Sequence, residues 1–115
     1  MSEVKTIASW EQFEQLEIRT GTIISAEILK GARKPAYKLQ IDFGSFGIKN
    51  SSAQITQHYT PEQLVNTTIV AIINFPAKKI AGFKSECLVL GVYEEDGSVV
   101  LLKPSQPVIN GLKIG

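Results

Sequence analysis

The sequence holds one cysteine, Cys87, and one histidine, His58, in 115 residues. A single cysteine excludes an intrachain disulfide. One cysteine and one histidine cannot build a structural zinc site, which takes four ligands, without several carboxylates. His58 lies in Gln57-His58-Tyr59-Thr60, which reads as a surface turn, and a nucleophile needs a base that is itself oriented by a third group. A phosphate-cradling glycine loop is also missing: Gly44-Ser45-Phe46-Gly47 has no lysine and no strand-to-helix context. The expectation is a chain that is not an enzyme and takes no cofactor and no metal. Long apolar runs are lacking too. The longest, Ile69 to Phe75, is interrupted by Asn74 and falls far short of the roughly 20 residues that cross a bilayer, so no membrane insertion is expected. Met1 is followed by Ser2, Glu3 and Val4, with neither a basic nor an apolar leader segment. Cys87 sits in the apolar run Cys87-Leu88-Val89-Leu90 and reads as a small buried hydrophobe. These features predict a cytoplasmic location.

What is present is ordinary globular composition, 43% hydrophobic and 20% charged, in a length that suits one domain. Residues 1–9 are expected to be a flexible N-terminus and residues 10–115 a single domain. The net charge of +1 conceals an uneven distribution. Up to Glu17, Lys5 stands against Glu3, Glu11, Glu14 and Glu17. Between Ile18 and Leu90, Arg19, Lys30, Arg33, Lys34, Lys38, Lys49, Lys78, Lys79 and Lys84 outnumber Glu27, Asp42, Glu62 and Glu86. The tail is again slightly acidic. Positive charge concentrated in the middle of the chain favours an anionic partner.

Periodicity supplies the order of elements. Ser9 and Gln12 fit a capping box, and Trp10, Phe13 and Leu16 follow at three-residue intervals as one apolar stripe. A helix this short must dock on something: either the barrel of its own chain or a second copy, with Trp10, Phe13 and Leu16 as the dimer contact. Ile18 to Leu29 reads as a long strand bent at Gly21. Tyr37 to Phe43 alternates apolar and polar, and Gly47 to Ser51 reads as a third strand. Thr60-Pro61-Glu62-Gln63 starts a second short helix, with proline at its first position. Thr68 to Phe75, Ser85 to Tyr93 and Ser98 to Lys103 complete the set, the last two joined by an Asp96-Gly97 turn. An N-terminal helix, three strands, a helix and further strands predict an all-β protein with short helices, a five-stranded OB-fold barrel with a helix between strands 3 and 4.

Two basic segments then stand out. Lys30 to Lys38 joins the first two strands and carries Lys30, Arg33, Lys34 and Lys38. Asn74 to Glu86 carries Lys78, Lys79 and Lys84 interleaved with Phe75, Pro76, Ile80 and Phe83. Lysines suit phosphates, and aromatic rings suit unpaired bases. In an OB-fold these two loops flank one binding face.

Glu17-Ile18-Arg19-Thr20-Gly21, together with Asn74, Lys78-Lys79-Ile80, Gly82 and Ser85, resembles the signature of the tRNA-binding domain family. The runs Ser51 to Thr56, Asn74 to Gly91 and Gln106 to Gly115 resemble its CsaA subgroup. The resemblance implies an OB-fold homodimer with a binding groove on each subunit. It implies tRNA as a partner, and unfolded preproteins or the export machinery as the alternative, in which the protein is a peptide-binding chaperone. By position it puts Asn74, Lys78, Lys79 and Ser85 in the tRNA-contact motif, with Glu86 where glutamine is common. Arg33, Lys34, Lys38 and Lys84 would add phosphate contacts, and Phe75, Ile80 and Phe83 would line an apolar groove for a peptide.

Overall fold

The computed structural model describes residues 3–115. The flexible segment expected over residues 1–9 therefore falls in part outside the described residues. Its last residue, Ser9, is the N-cap of α1 (Trp10–Glu14), where the serine hydroxyl accepts from the Gln12 N–H and the Gln12 side chain accepts from the Ser9 N–H. α2 (Pro61–Leu64) repeats the arrangement with Thr60 and Gln63, and Pro61 occupies its first turn. Each such cap is worth about 1 kcal/mol, which matters for helices of one turn.

The strands β1 (Ile18–Ile28), β2 (Tyr37–Asp42), β3 (Ile48–Ala53), β4 (Thr68–Ile72), β5 (Lys78–Ile80), β6 (Phe83–Ser85), β7 (Leu88–Val89), β8 (Gly91–Tyr93) and β9 (Val99–Leu101) follow in chain order. Five of them form one antiparallel sheet in the order β3-β2-β1-β4-β7. The sheet curls until β3 meets the segment after β6: the Ser51 hydroxyl donates to the Cys87 carbonyl at 3.0 Å, and the Glu86 N–H donates to the Asn50 carbonyl at 2.8 Å. The result is the OB-fold barrel. Its interior holds Ile23, Leu39, Ile41, Phe43, Leu64 and Ile69, all fully buried. Leu64 brings α2 to one end of the barrel, and the Asn66 N–H and Thr67 carbonyl both bond Ile23 there.

A second, smaller cluster lies on the outside of β1 and β4. Ile18, Val70 and Ile72 pack there against Leu16, Leu90 and Ile114. The C-terminal segment is laid along β1 by backbone bonds from Thr20 to Leu112, from Gly111 to Thr20 and from Ile114 to Ile18. The Thr20 hydroxyl adds a bond to the Ile109 carbonyl, and the Thr22 hydroxyl one to Asn110.

Three expectations change. The bend in β1 does not fall at Gly21; the register irregularity lies between Ile23 and Ser25. Gly21 is instead required by packing, because a Cβ there would lie 2.7 Å from the Phe43 ring and 2.8 Å from Ile41. The single strand expected over Ser85 to Tyr93 is divided among β6, β7 and β8, because the chain must cross from the edge of β3 to the edge of β4 within Glu86 and Cys87. The segment 74–86, expected to be a loop, contains the β5–β6 hairpin. Ala81 and Gly82 turn it with φ of 50° and 79°. Alanine is a poor residue for that left-handed region, so the turn was invisible in the sequence.

Candidate nucleic-acid interface

The β1–β2 loop is closed at its base by a bond from the Leu29 N–H to the Ala36 carbonyl, and Gly31 turns it with φ of 85°. Its tip meets the tip of the β5–β6 arm: a Cβ on Gly31 would lie 3.6 Å from that of Ala81. The two basic segments therefore converge. Arg33, Lys34, Lys79 and Ile80 line one cleft, of about 440 Å³, floored by Ser52 and Gln54 of the β3 end. No acidic residue lines it. Among the described residues, Arg33, Lys34, Lys78, Lys79 and Lys84 take part in no ion pair, whereas Lys38 is paired with Glu27 across β1 and β2 at 3.2 Å.

The remaining motif residues hold the arm. The Asn74 amide oxygen accepts from the Glu17 N–H at 2.8 Å, and its amide nitrogen donates to the Gln15 carbonyl at 2.8 Å. One side chain thus ties the start of the arm to the end of α1. At the other root, the Ser85 hydroxyl accepts from the Ser52 N–H, and Glu86 Oε1 accepts from the Asn50 N–H, each at 3.0 Å. These two side chains satisfy edge N–H groups of β3 where the ladder gives way to the arm. An unmet backbone donor there would be costly.

Phe75 is 43% exposed on the arm. Ile80 and Phe83 face each other across the hairpin beside its turn, Ile80 in the cationic cleft and Phe83 over the β1–β2–β3 face. Lys78 lies on a different side, in a depression with Leu88, Tyr93 and Val99. The first helix does not bury its stripe: Leu16 packs on the outer cluster, but Trp10 is 82% exposed and Phe13 37%. The tail residue Ile109 is 73% exposed.

Elsewhere, His58 is exposed, and its Nε2 lies 2.6 Å from Glu94 and 3.0 Å from the buried Ser98 hydroxyl. The Ser98 hydroxyl and N–H also hold the Asp96 carboxyl below its ordinary pKa. Both contacts of His58 fall on one ring nitrogen, so a charge-relay geometry is not formed. Burial pushes the Cys87 thiol up to about 11, which leaves it protonated and inert at neutral pH. Among the described residues no cluster of three or more His, Cys, Asp or Glu has metal-binding geometry, and no helix is long and apolar enough to cross a membrane.

Ser25, Gln40, Asn50 and Ser52, which no binding motif in the sequence marks, form the polar outer face beneath the arm. The alternation on β2 marks Gln40 as outward-facing, but only the arm folding over that face gives it a context.

An OB-fold barrel with two cation-bearing loops meeting over one sheet face defines a small binding module. The chain belongs to the tRNA binding domain family, which residues 18–113 match. It is similar to the chaperone CsaA of Bacillus anthracis str. Ames, with 54% identity, 96% of this chain and 100% of that chain covered and a TM-score of 0.91. It is also similar to the CsaA chaperone protein of Picrophilus torridus, at 47% identity, 95% and 100% coverage and a TM-score of 0.88. The methionine–tRNA ligase of Chlorobium chlorochromatii (strain CaD3) is 31% identical over 112 residues, 97% of this chain. The chain spans only about 16% of the length of that ligase.

Proposed function

We propose that the protein binds tRNA without catalysing a reaction on it, acting in the cytoplasm as a homodimer. The observation that carries this is the meeting of the two loop tips. It brings Arg33, Lys34 and Lys79 around one cleft free of acidic side chains, with Lys84 on the same arm. Phosphate contacts set affinity and register and carry little sequence information, so recognition depends on the shape of the RNA. The salt dependence of tRNA affinity tests it. About four phosphate contacts give a log–log slope of roughly −3 to −4, and a flat response or no retention at low salt refutes the proposal. Membership of the tRNA binding domain family supports the same ligand.

A second reading is favoured by the exposed Phe75 and by Ile80 and Phe83 on the arm, and by the likeness to proteins described as CsaA chaperones. In it the arm captures unfolded preproteins before export. Phe75→Ala would then weaken capture of a denatured client, and added salt would change it little. The exposure of Trp10, Phe13 and Ile109 supports the dimer, and light scattering at micromolar concentration that gave 12.6 kDa would refute it.

A further inference from the structure

Beside the cationic cleft, on the other side of the arm, lies a separate pocket of about 280 Å³. Its floor is the polar face of the sheet, with Ser25 on β1, Gln40 on β2 and Asn50 on β3. Phe83 of the arm forms its wall, and the Glu27–Lys38 pair stands at its rim. The Ser25 hydroxyl donates to the Gln40 amide oxygen at 3.2 Å, which fixes the orientation of that amide and leaves its NH₂ group available. The Asn50 backbone is held by Glu86 on both sides, while its carboxamide makes no hydrogen bond among the described residues.

We propose that this pocket receives one unpaired nucleobase of the bound RNA. The inference rests on the tRNA-binding reading above. The chemistry is that of base recognition: an aromatic ring offers a stacking face that any base can use. Two carboxamides and a hydroxyl offer donors and acceptors to a base edge, as in single-stranded RNA recognition. A third depression, lined by Lys30, Ala81 and Gly82 together with Glu27, Lys38 and Phe83 of the pocket, adjoins it at the tip of the arm. It shares Ala81 with the cleft of Arg33, Lys34 and Lys79, so a chain whose phosphates occupy the cleft can lay a base under Phe83. An unfolded peptide suits the pocket less well, because five of its seven lining residues are polar or charged, with Leu39 and Phe83 the apolar ones.

The test compares pentaadenylate and pentauridylate with an abasic ribose-phosphate chain of the same number of phosphates. The pocket predicts that at least one base-bearing oligonucleotide binds about five-fold or more tighter than the abasic chain, the lower end of what one stacked base contributes. Phe83→Leu and, separately, Gln40→Ala should shrink that ratio while leaving the log–log salt slope unchanged. Gln40 is exposed, so its variant does not put folding at stake. Equal affinity for base-bearing and abasic chains overturns the pocket alone. Failure of all three to bind at low salt overturns the tRNA-binding reading with it. If Gln40→Ala leaves the oligonucleotides unaffected but weakens binding of a labelled denatured peptide, the pocket belongs to peptide side chains and the proposal falls.

Discussion

Glu86 and Asn50 exchange two hydrogen bonds across the root of the arm: the Glu86 N–H donates to the Asn50 carbonyl at 2.8 Å, and the Asn50 N–H donates to Glu86 Oε1 at 3.0 Å. The second uses a side chain as a substitute for the next rung of the ladder. Glu86→Ala leaves the Asn50 N–H without its partner and should cost about 1–3 kcal/mol in urea denaturation. Glu86→Gln keeps the acceptor oxygen, so stability should hold. It also removes a negative charge from an arm that carries three lysines, so tRNA affinity at low salt should rise.

Asn74 acts at the other root. Asn74→Ala deletes both bonds that tie the arm to Gln15 and Glu17 and should destabilise by about 1–2 kcal/mol, exposed hydrogen bonds being worth about 1 kcal/mol each. Its effect on tRNA should be a uniform weakening with an unchanged salt slope. Lys79→Ala, by contrast, should make the slope shallower by a little under one. Filter binding at several salt concentrations separates the two.

Gly21 tests the barrel interior. A methyl group there would meet the Phe43 ring at 2.7 Å and Ile41 at 2.8 Å. Neither side chain can retreat, since both are fully buried. Gly21→Ala should cost about 1–3 kcal/mol by overpacking, read as a fall in the urea midpoint.

Cys87 gives a pH dependence with a definite sign. Burial holds its proton more tightly in the folded state, up to about 11 against an ordinary value of 9.0. The folded state therefore binds more proton than the unfolded one between those values, and stability falls as pH rises from 9 toward 11. Below pH 9 the group contributes no slope. Urea midpoints of the parent and of Cys87→Ala, taken across that range, should converge as the pH is raised. Thiol reagents should label the folded protein slowly at pH 8.

Local chemistry was legible in the chain. The caps Ser9/Gln12 and Thr60/Gln63, the alternation of β2 and the Asp96-Gly97 turn each depend on neighbours a few residues apart, and each is found in the structure. The basic character of segments 30–38 and 78–84 was equally plain. The hairpin at Ala81-Gly82 was not, because its left-handed alanine runs against local preference and is held by pairing with strand residues on both sides.

What the sequence alone determined is the barrel order, the two basic loops and the family signature, since these rest on composition, short-range periodicity and a motif. Tertiary structure decided the rest. It engaged Asn74, Ser85 and Glu86 in hydrogen bonds that hold the arm and paired Lys38 with Glu27. It also set Phe83 above Ser25, Gln40 and Asn50. A side chain's partners, from 11 residues away for Lys38 and Glu27 to 59 for Asn74 and Gln15, are fixed by sheet register and closure. No local pattern carries that information, so the sequence shows Asn74, Ser85 and Glu86 only as a motif, and the fold shows them holding the roots of an arm with a pocket beneath it.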